Sequence, residues 1–190
     1  MRFAPVTALA LSLFLAACAV ESGPQLAATF ATGVTAYDAG DKARAFEIWN
    51  RIADQDLAAQ RNVAMMLRKG DGVKQDLPAA AALYRRAAEA GLPTAQADLA
   101  DMLLKGEVGP PNPRAALPLL QAAAAASHPF AQFQLGQLYE SGMPGVVEKD
   151  LNAARELYGS AASRGLAQAA ERLKALGPPT LPVPNRTAAP

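Results

Sequence analysis

Apolar and polar positions follow a helical period through most of this chain. Leu99, Met102 and Leu103 recur as Leu135, Leu138 and Tyr139, the i, i+3, i+4 spacing that gathers apolar groups on one helix face. The pattern itself repeats: Ala59-Gln60, Ala95-Gln96 and Ala131-Gln132 lie at intervals of 36 residues, and Gly70, Gly106 and Gly142 keep the same interval. A second apolar stretch follows in each period, where an Ala-Ala pair comes 11 positions after Asp76, Asn112 and Asp150. Asp41 opens a fourth copy of this half-unit, with Ile48-Trp49 where the others carry Leu83-Tyr84, Leu119-Leu120 and Leu157-Tyr158. Two registers that stay in step mark an internal repeat.

Punctuation divides each period into two helices. The first starts near Pro93 or Pro129, since proline in a first turn forfeits only an amide that would be unbonded anyway, and it stops at Gly70, Gly106 or Gly142. The second starts at Asp41, Asp76, Asn112 or Asp150, whose side chains accept bonds from first-turn amides. It ends at Gly91 or Gly165, with Ser127 in the equivalent place of the middle unit, a costlier residue for a left-handed turn. Pro118 lies inside a second helix and is expected to remove a hydrogen bond and bend it. Ala64, Ala100 and Gly136 sit beside the apolar face and allow close helix approach. The array is expected over 26–176, preceded by a short tether over 18–25 and followed by a proline-rich disordered tail over 177–190, where Pro178, Pro179, Pro182, Pro184 and Pro190 oppose packing.

Residues 1–17 form a different kind of segment. Arg2 precedes an uncharged apolar run, Phe3 to Ala17, which suits a secretory leader and falls short of the roughly 20 residues of a membrane span. The run ends Leu15-Ala16-Ala17-Cys18, which resembles the lipobox of bacterial lipoproteins, in which the cysteine is lipidated and becomes the mature N-terminus. Ala17-Cys18-Ala19 also reads as an ordinary A-x-A cleavage site that would discard the cysteine. Cys18 is the sole cysteine, so an exported domain would be held by packing without an internal disulfide. Ala19 stands where lipoproteins retained in the inner membrane tend to carry aspartate, and the resemblance therefore points to an outer-membrane lipoprotein facing the periplasm. A soluble periplasmic protein is the alternative.

Alanine-rich composition with few aromatic and β-branched residues favours an all-α fold. Eighteen basic residues nearly balance 17 acidic ones, which gives no indication of a nucleic-acid partner. The segment Ala131-Gln132-Phe133-Gln134-Leu135-Gly136-Gln137-Leu138-Tyr139-Glu140-Ser141-Gly142, followed by Asp150, Ala154, Leu157-Tyr158, Ala161-Ala162 and Gly165, resembles a Sel-one-like repeat (SLR), a relative of the tetratricopeptide repeat. The resemblance implies a right-handed α/α solenoid of about four helix-turn-helix units, serving as a scaffold or adaptor for protein complexes. The middle unit departs from the pattern at Pro110-Pro111, and the connection from Gly142 to Asp150 is two residues longer than that from Gly70 to Asp76.

Candidate chemistry is sparse. His128 is the sole histidine, placed in a turn before Pro129, so neither a multi-histidine metal site nor a Ser-His-Asp arrangement is suggested. No Gly-rich phosphate loop follows a strand. Trp49, Tyr84 and Tyr158 are expected to pack between helices. No catalytic residue, metal, cofactor or small-molecule substrate is expected. Function is expected on the first helices, which line the concave side of such arrays: Arg61, Asn62, Met65 and Arg68, then Asp98, Asp101 and Leu104, then Phe133, Gln134, Gln137 and Glu140. This face would pass from basic to acidic with apolar Met65, Leu104 and Phe133 interspersed, suiting an envelope protein or peptide. An adaptor at the outer membrane fits best. A periplasmic regulator that binds a membrane sensor is the second reading, and an envelope hydrolase the third.

Overall fold

The turn chemistry of the sequence decides where the helices begin and end. The computed structural model describes residues 23–178, and within them nine helices run α1 Gly23–Asp38, α2 Lys42–Ile52, α3 Leu57–Lys69, α4 Leu77–Glu89, α5 Pro93–Lys105, α6 Pro113–Ala125, α7 Pro129–Ser141, α8 Leu151–Ser163 and α9 Ala167–Leu176. The side chains of Asp41, Asp76, Asn112 and Asp150 each accept from a first-turn amide of the helix that follows, satisfying donors that no intrahelical carbonyl can reach. The turns after α4 and α8 pass through Gly91 and Gly165 at φ 88° and 89°, and the turn after α6 passes through Ser127 at φ 63°. Serine therefore adopts the left-handed backbone that glycine takes in the neighbouring units, at a cost of about 1–2 kcal/mol. α6 runs unbroken through Pro118.

Among the described residues the helices pack as a one-dimensional array, each chiefly on its neighbours in sequence, as expected for a repeat protein. The core is a strip of four successive clusters. Leu99 belongs to the cluster spanning α3 to α5 and Leu135 to that spanning α5 to α7, both almost fully buried; such a leucine contributes about 1.5–3 kcal/mol.

Side-chain size is matched within each pair of helices. A Cβ built on Gly136 of α7 would lie 2.7 Å from the Tyr158 ring of α8, and one on Gly33 of α1 would lie 2.3 Å from the Trp49 indole of α2. Glycine is required at both places because a ring fills the space. Ala64 shares a core cluster with Tyr84, and Ala100 shares one with Leu120. The rings keep their polar atoms satisfied: Trp49 Nε1 donates to the Phe30 carbonyl at 3.2 Å, and the Tyr158 hydroxyl to Glu140 at 2.8 Å.

The recurring Ala-Gln pair also has a physical reason. Gln96 and Gln132 are anchored by donating to the Ala88 and Ala124 carbonyls, each at 3.2 Å, at the end of the preceding helix. Gln60 has no such bond from its Nε2. The turn before α3 is one residue longer than those before α5 and α7.

Two boundaries differ from the sequence reading. α1 begins at Gly23, so the last residues assigned to the tether are helical. At the other end Arg155, buried on α8, donates to the carbonyls of Leu176, Gly177 and Pro178 at 3.1–3.2 Å, which ties down the first two residues assigned to the tail. The corresponding positions of earlier units hold Ala81 and Leu117. At the last unit an arginine supplies donors to helix-terminal carbonyls that have no partner of their own.

A polar groove along the odd-numbered helices

α3, α5, α7 and α9 lie side by side, and their facing positions are joined by charged groups. Arg61 of α3 donates to Asp98 of α5 at 2.6 Å. Arg68 of α3 donates to Asp101 of α5 and also, through two nitrogens, to Glu107 at 2.6 and 2.7 Å. Asp101 accepts further bonds from Lys105 and from Gln134 Nε2 of α7, both at 2.8 Å. One carboxylate thus links three successive units. Glu140 of α7 repeats the device, accepting from Tyr158 of α8 and Arg172 of α9 at 2.8 Å.

Between α3 and α5 these groups border a solvent-open groove of about 510 Å³, with Met65, Leu77 and Tyr84 in its wall. Arg61, Met65, Arg68, Asp98 and Asp101, expected on the concave face, all line it. The other expected residues lie elsewhere. Gln137 is exposed on α7. Leu104 packs against the core between α5 and α7. Phe133 lies against the Tyr158 ring with centroids 5.6 Å apart. The leader and Cys18 fall outside the described residues.

Three expectations about this face are corrected. Asp101 and Gln134, read as part of the open concave face, are only 5% and 7% exposed. Helical spacing does turn them away from their own unit's core, but the adjacent odd helix covers them. Nor does the face grade from basic to acidic, because Arg61 and Arg68 are paired with the very carboxylates, Asp98 and Asp101, that were to form the acidic end.

Burial and ion pairing compete at Asp101. Desolvation pushes its carboxyl upward, but the Lys105 and Arg68 hydrogen bonds outweigh it and hold the group below its ordinary value. Burial moves Tyr84 the other way, well above the usual tyrosine range. His128, expected as a turn residue, is the N-cap of α7, where Nδ1 accepts from the Ala131 amide at 3.3 Å. Partial burial lowers its pKa, with nearby Asp98 opposing and Arg61 reinforcing the shift. Sequence reasoning missed Glu107 altogether; its place in a turn gave no sign that Arg68 reaches it from the preceding unit.

The fold and the groove together define an α-helical repeat scaffold whose polar seam runs across its units. The chain belongs to the Sel1 repeat family: the Sel1 repeat model matches residues 57–92, 93–128 and 129–166, more than half of its length. Sel1 repeats generally mediate protein–protein interactions, and the scaffold is typically non-catalytic. Among solved structures the chain is similar to c5321, described as a protective antigen of uropathogenic Escherichia coli strains displaying an SLR fold, with 28% identity and a TM-score of 0.73 over 80% of this chain and 33% of that one. It is also similar to a Sel1 repeat protein from Oxalobacter formigenes, with 28% identity and a TM-score of 0.70 over 80% of this chain and 64% of the other. The immunity protein Pa5087 from Pseudomonas aeruginosa, 24% identical with a TM-score of 0.58 over 82% of this chain and 59% of its own, shares the fold. The chain thus spans between a third and two thirds of these longer proteins. No match is found among curated proteins.

Proposed function

We propose that the protein is an exported, lipid-anchored adaptor of the bacterial envelope that holds a protein partner in the groove between α3 and α5 and performs no chemistry of its own. The observation that carries this reading is the groove itself: an open concavity of about 510 Å³ whose polar rim is already ordered by ion pairs. Preordered side chains cut the entropic cost of binding, and an apolar floor between charged groups suits a peptide or helix. Export and anchoring rest on the leader-like run Phe3 to Ala17 and on Leu15-Ala16-Ala17-Cys18. Acyl chains on Cys18 would add about 0.8 kcal/mol of membrane affinity per buried methylene. Ala19 supports a position at the outer membrane, facing the periplasm.

Two measurements test the proposal. Mass spectrometry of the mature protein should find an acylated Cys18 as its first residue; an unmodified N-terminus at Val20 refutes the anchor and favours a soluble periplasmic protein. A photocrosslinking residue at Met65 should capture a protein from the native envelope, while one at exposed Ala122 of α6 should not. Equal capture from both positions refutes the groove.

A further inference from the structure

The groove is close to neutral by count, with Arg61, Arg68, Lys69 and Lys105 against Asp98, Asp101 and Glu107. It is not neutral by exposure. In the Arg61–Asp98 pair the side chains are 30% and 20% exposed; for Arg68–Asp101 they are 16% and 8%, and for Lys105–Asp101 they are 59% and 8%. Between α7 and α9 Arg172–Glu140 gives 51% and 17%. Arg68–Glu107 is the exception, at 16% and 24%. In the pair that joins α4 to the turn after α2 the order reverses, since Arg86 and Asp54 are 58% and 82% exposed. Along the odd helices the carboxylates are turned inward to bind donors, and the cations stand between them and water.

A buried carboxylate whose lone pairs are already engaged offers little to an incoming ligand, whereas an exposed ammonium keeps free donors. Lys69 is exposed at the groove rim, and Lys105 spends one donor on Asp101 while most of its side chain faces solvent. An approaching chain therefore meets positive charge around a floor of Met65 and Leu77. We infer that the groove takes an acidic protein segment, one or two carboxylates reaching Lys69 and Lys105 while an apolar side chain seats on Met65 and Leu77. This inference rests on the groove reading above and names the chemistry of its partner. The observations favour a peptide over a nucleic acid. Tyr84 in the wall is buried to 1% exposure and presents no face for base stacking, and Lys69 and Lys105 alone make no row of cations along which a continuous phosphate backbone could run.

The test uses the full chain and fluorescein-labelled 12-residue peptides of equal leucine content in which the polar positions are all glutamate, all serine or all lysine, with a single-stranded oligonucleotide as a fourth probe. Fluorescence anisotropy should show the glutamate peptide binding at least about tenfold tighter than the serine peptide, with the advantage shrinking as salt is added. Lys69→Gln together with Lys105→Gln should abolish that advantage without altering the melting temperature by more than a few degrees. The inference is overturned if the lysine or serine peptide binds as well as the glutamate one, if no peptide binds, if the oligonucleotide binds more tightly, or if the double variant keeps the preference. Met65 crosslinking separates the two levels: a partner captured there, with no preference for glutamate, leaves the groove standing and removes only its acidic specificity.

Discussion

Replacing Asp101 by alanine isolates the seam between repeat units. The carboxylate is 8% exposed and receives Arg68, Lys105 and Gln134, three groups from three helices. Removing one partner of a buried ion pair costs about 3–5 kcal/mol when the other is left stranded. Here Arg68 keeps its two bonds to Glu107 and Lys105 turns freely into solvent, so the expected loss falls to about 2–3 kcal/mol, part of it from the buried Gln134 amide that loses its acceptor. Asp54→Ala is the matched control: its pair with Arg86 is solvated on both sides, and its removal should cost no more than about 0.5–1 kcal/mol. Urea denaturation followed by far-UV circular dichroism at pH 7 measures both. The sign with pH is also fixed. Because the folded carboxyl sits below its ordinary value, the unfolded chain binds its proton first, and the stabilisation is complete above about pH 3.9 and fades as pH falls through the folded value. The gap between the parent and Asp101→Ala should therefore close only in acid below about pH 4. If Asp101→Ala and Asp54→Ala are equivalent at pH 7, the seam does not hold the units together.

Ser127→Gly relieves a left-handed backbone at φ 63° and should stabilise the protein by about 1 kcal/mol, raising its melting temperature by about 2–4 °C; a lower melting temperature contradicts the strain. His128 should make the protein lose stability as pH falls from about 6.5 through its lowered folded value, because its partial burial opposes the charged ring and protonation also removes the Nδ1 acceptor at a helix N-terminus. His128→Asn retains a capping oxygen without titrating near neutrality, so a thermal melt series from pH 7.5 to 5 should be flatter for the variant; parallel curves would clear His128 of that role.

Local chemistry was the legible part of this molecule. Asp76, Asn112 and Asp150 act on amides two or three residues away, and Ser127 stands in a three-residue turn, so their roles follow from spacing alone. The seam was not legible for the opposite reason. A helical wheel places Asp98 and Asp101 on an outward face of α5 and Gln134 on an outward face of α7, but whether such a face meets water depends on how closely the next odd helix approaches. That approach shows only in contacts remote in sequence, such as Gln134 donating to Asp101 from 33 residues away. Arg155 did carry a signal: it breaks the run of Ala81 and Leu117 at one register position, and a charged residue at a packing position marks the place where packing ends.

The matching of Gly33 to Trp49 and of Gly136 to Tyr158 bears on how such a chain can be rearranged by duplication. The two halves of a unit fit each other by size, and they are encoded 16 and 22 residues apart. A crossover between copies that falls inside a unit would part a ring from the residue shaped to it: Tyr158 or Trp49, held in its present pose against an alanine, would meet a methyl group and would have to shift to the kind of place Tyr84 takes beside Ala64, while Leu120 facing a glycine helix would leave a void. A crossover in the turn that separates one unit from the next carries each ring along with the small residue made for it. Gain and loss of units therefore disturbs the packing least in whole multiples, with breakpoints in turns such as Ala90–Leu92, and the natural grain size of change in this array is the complete helix pair.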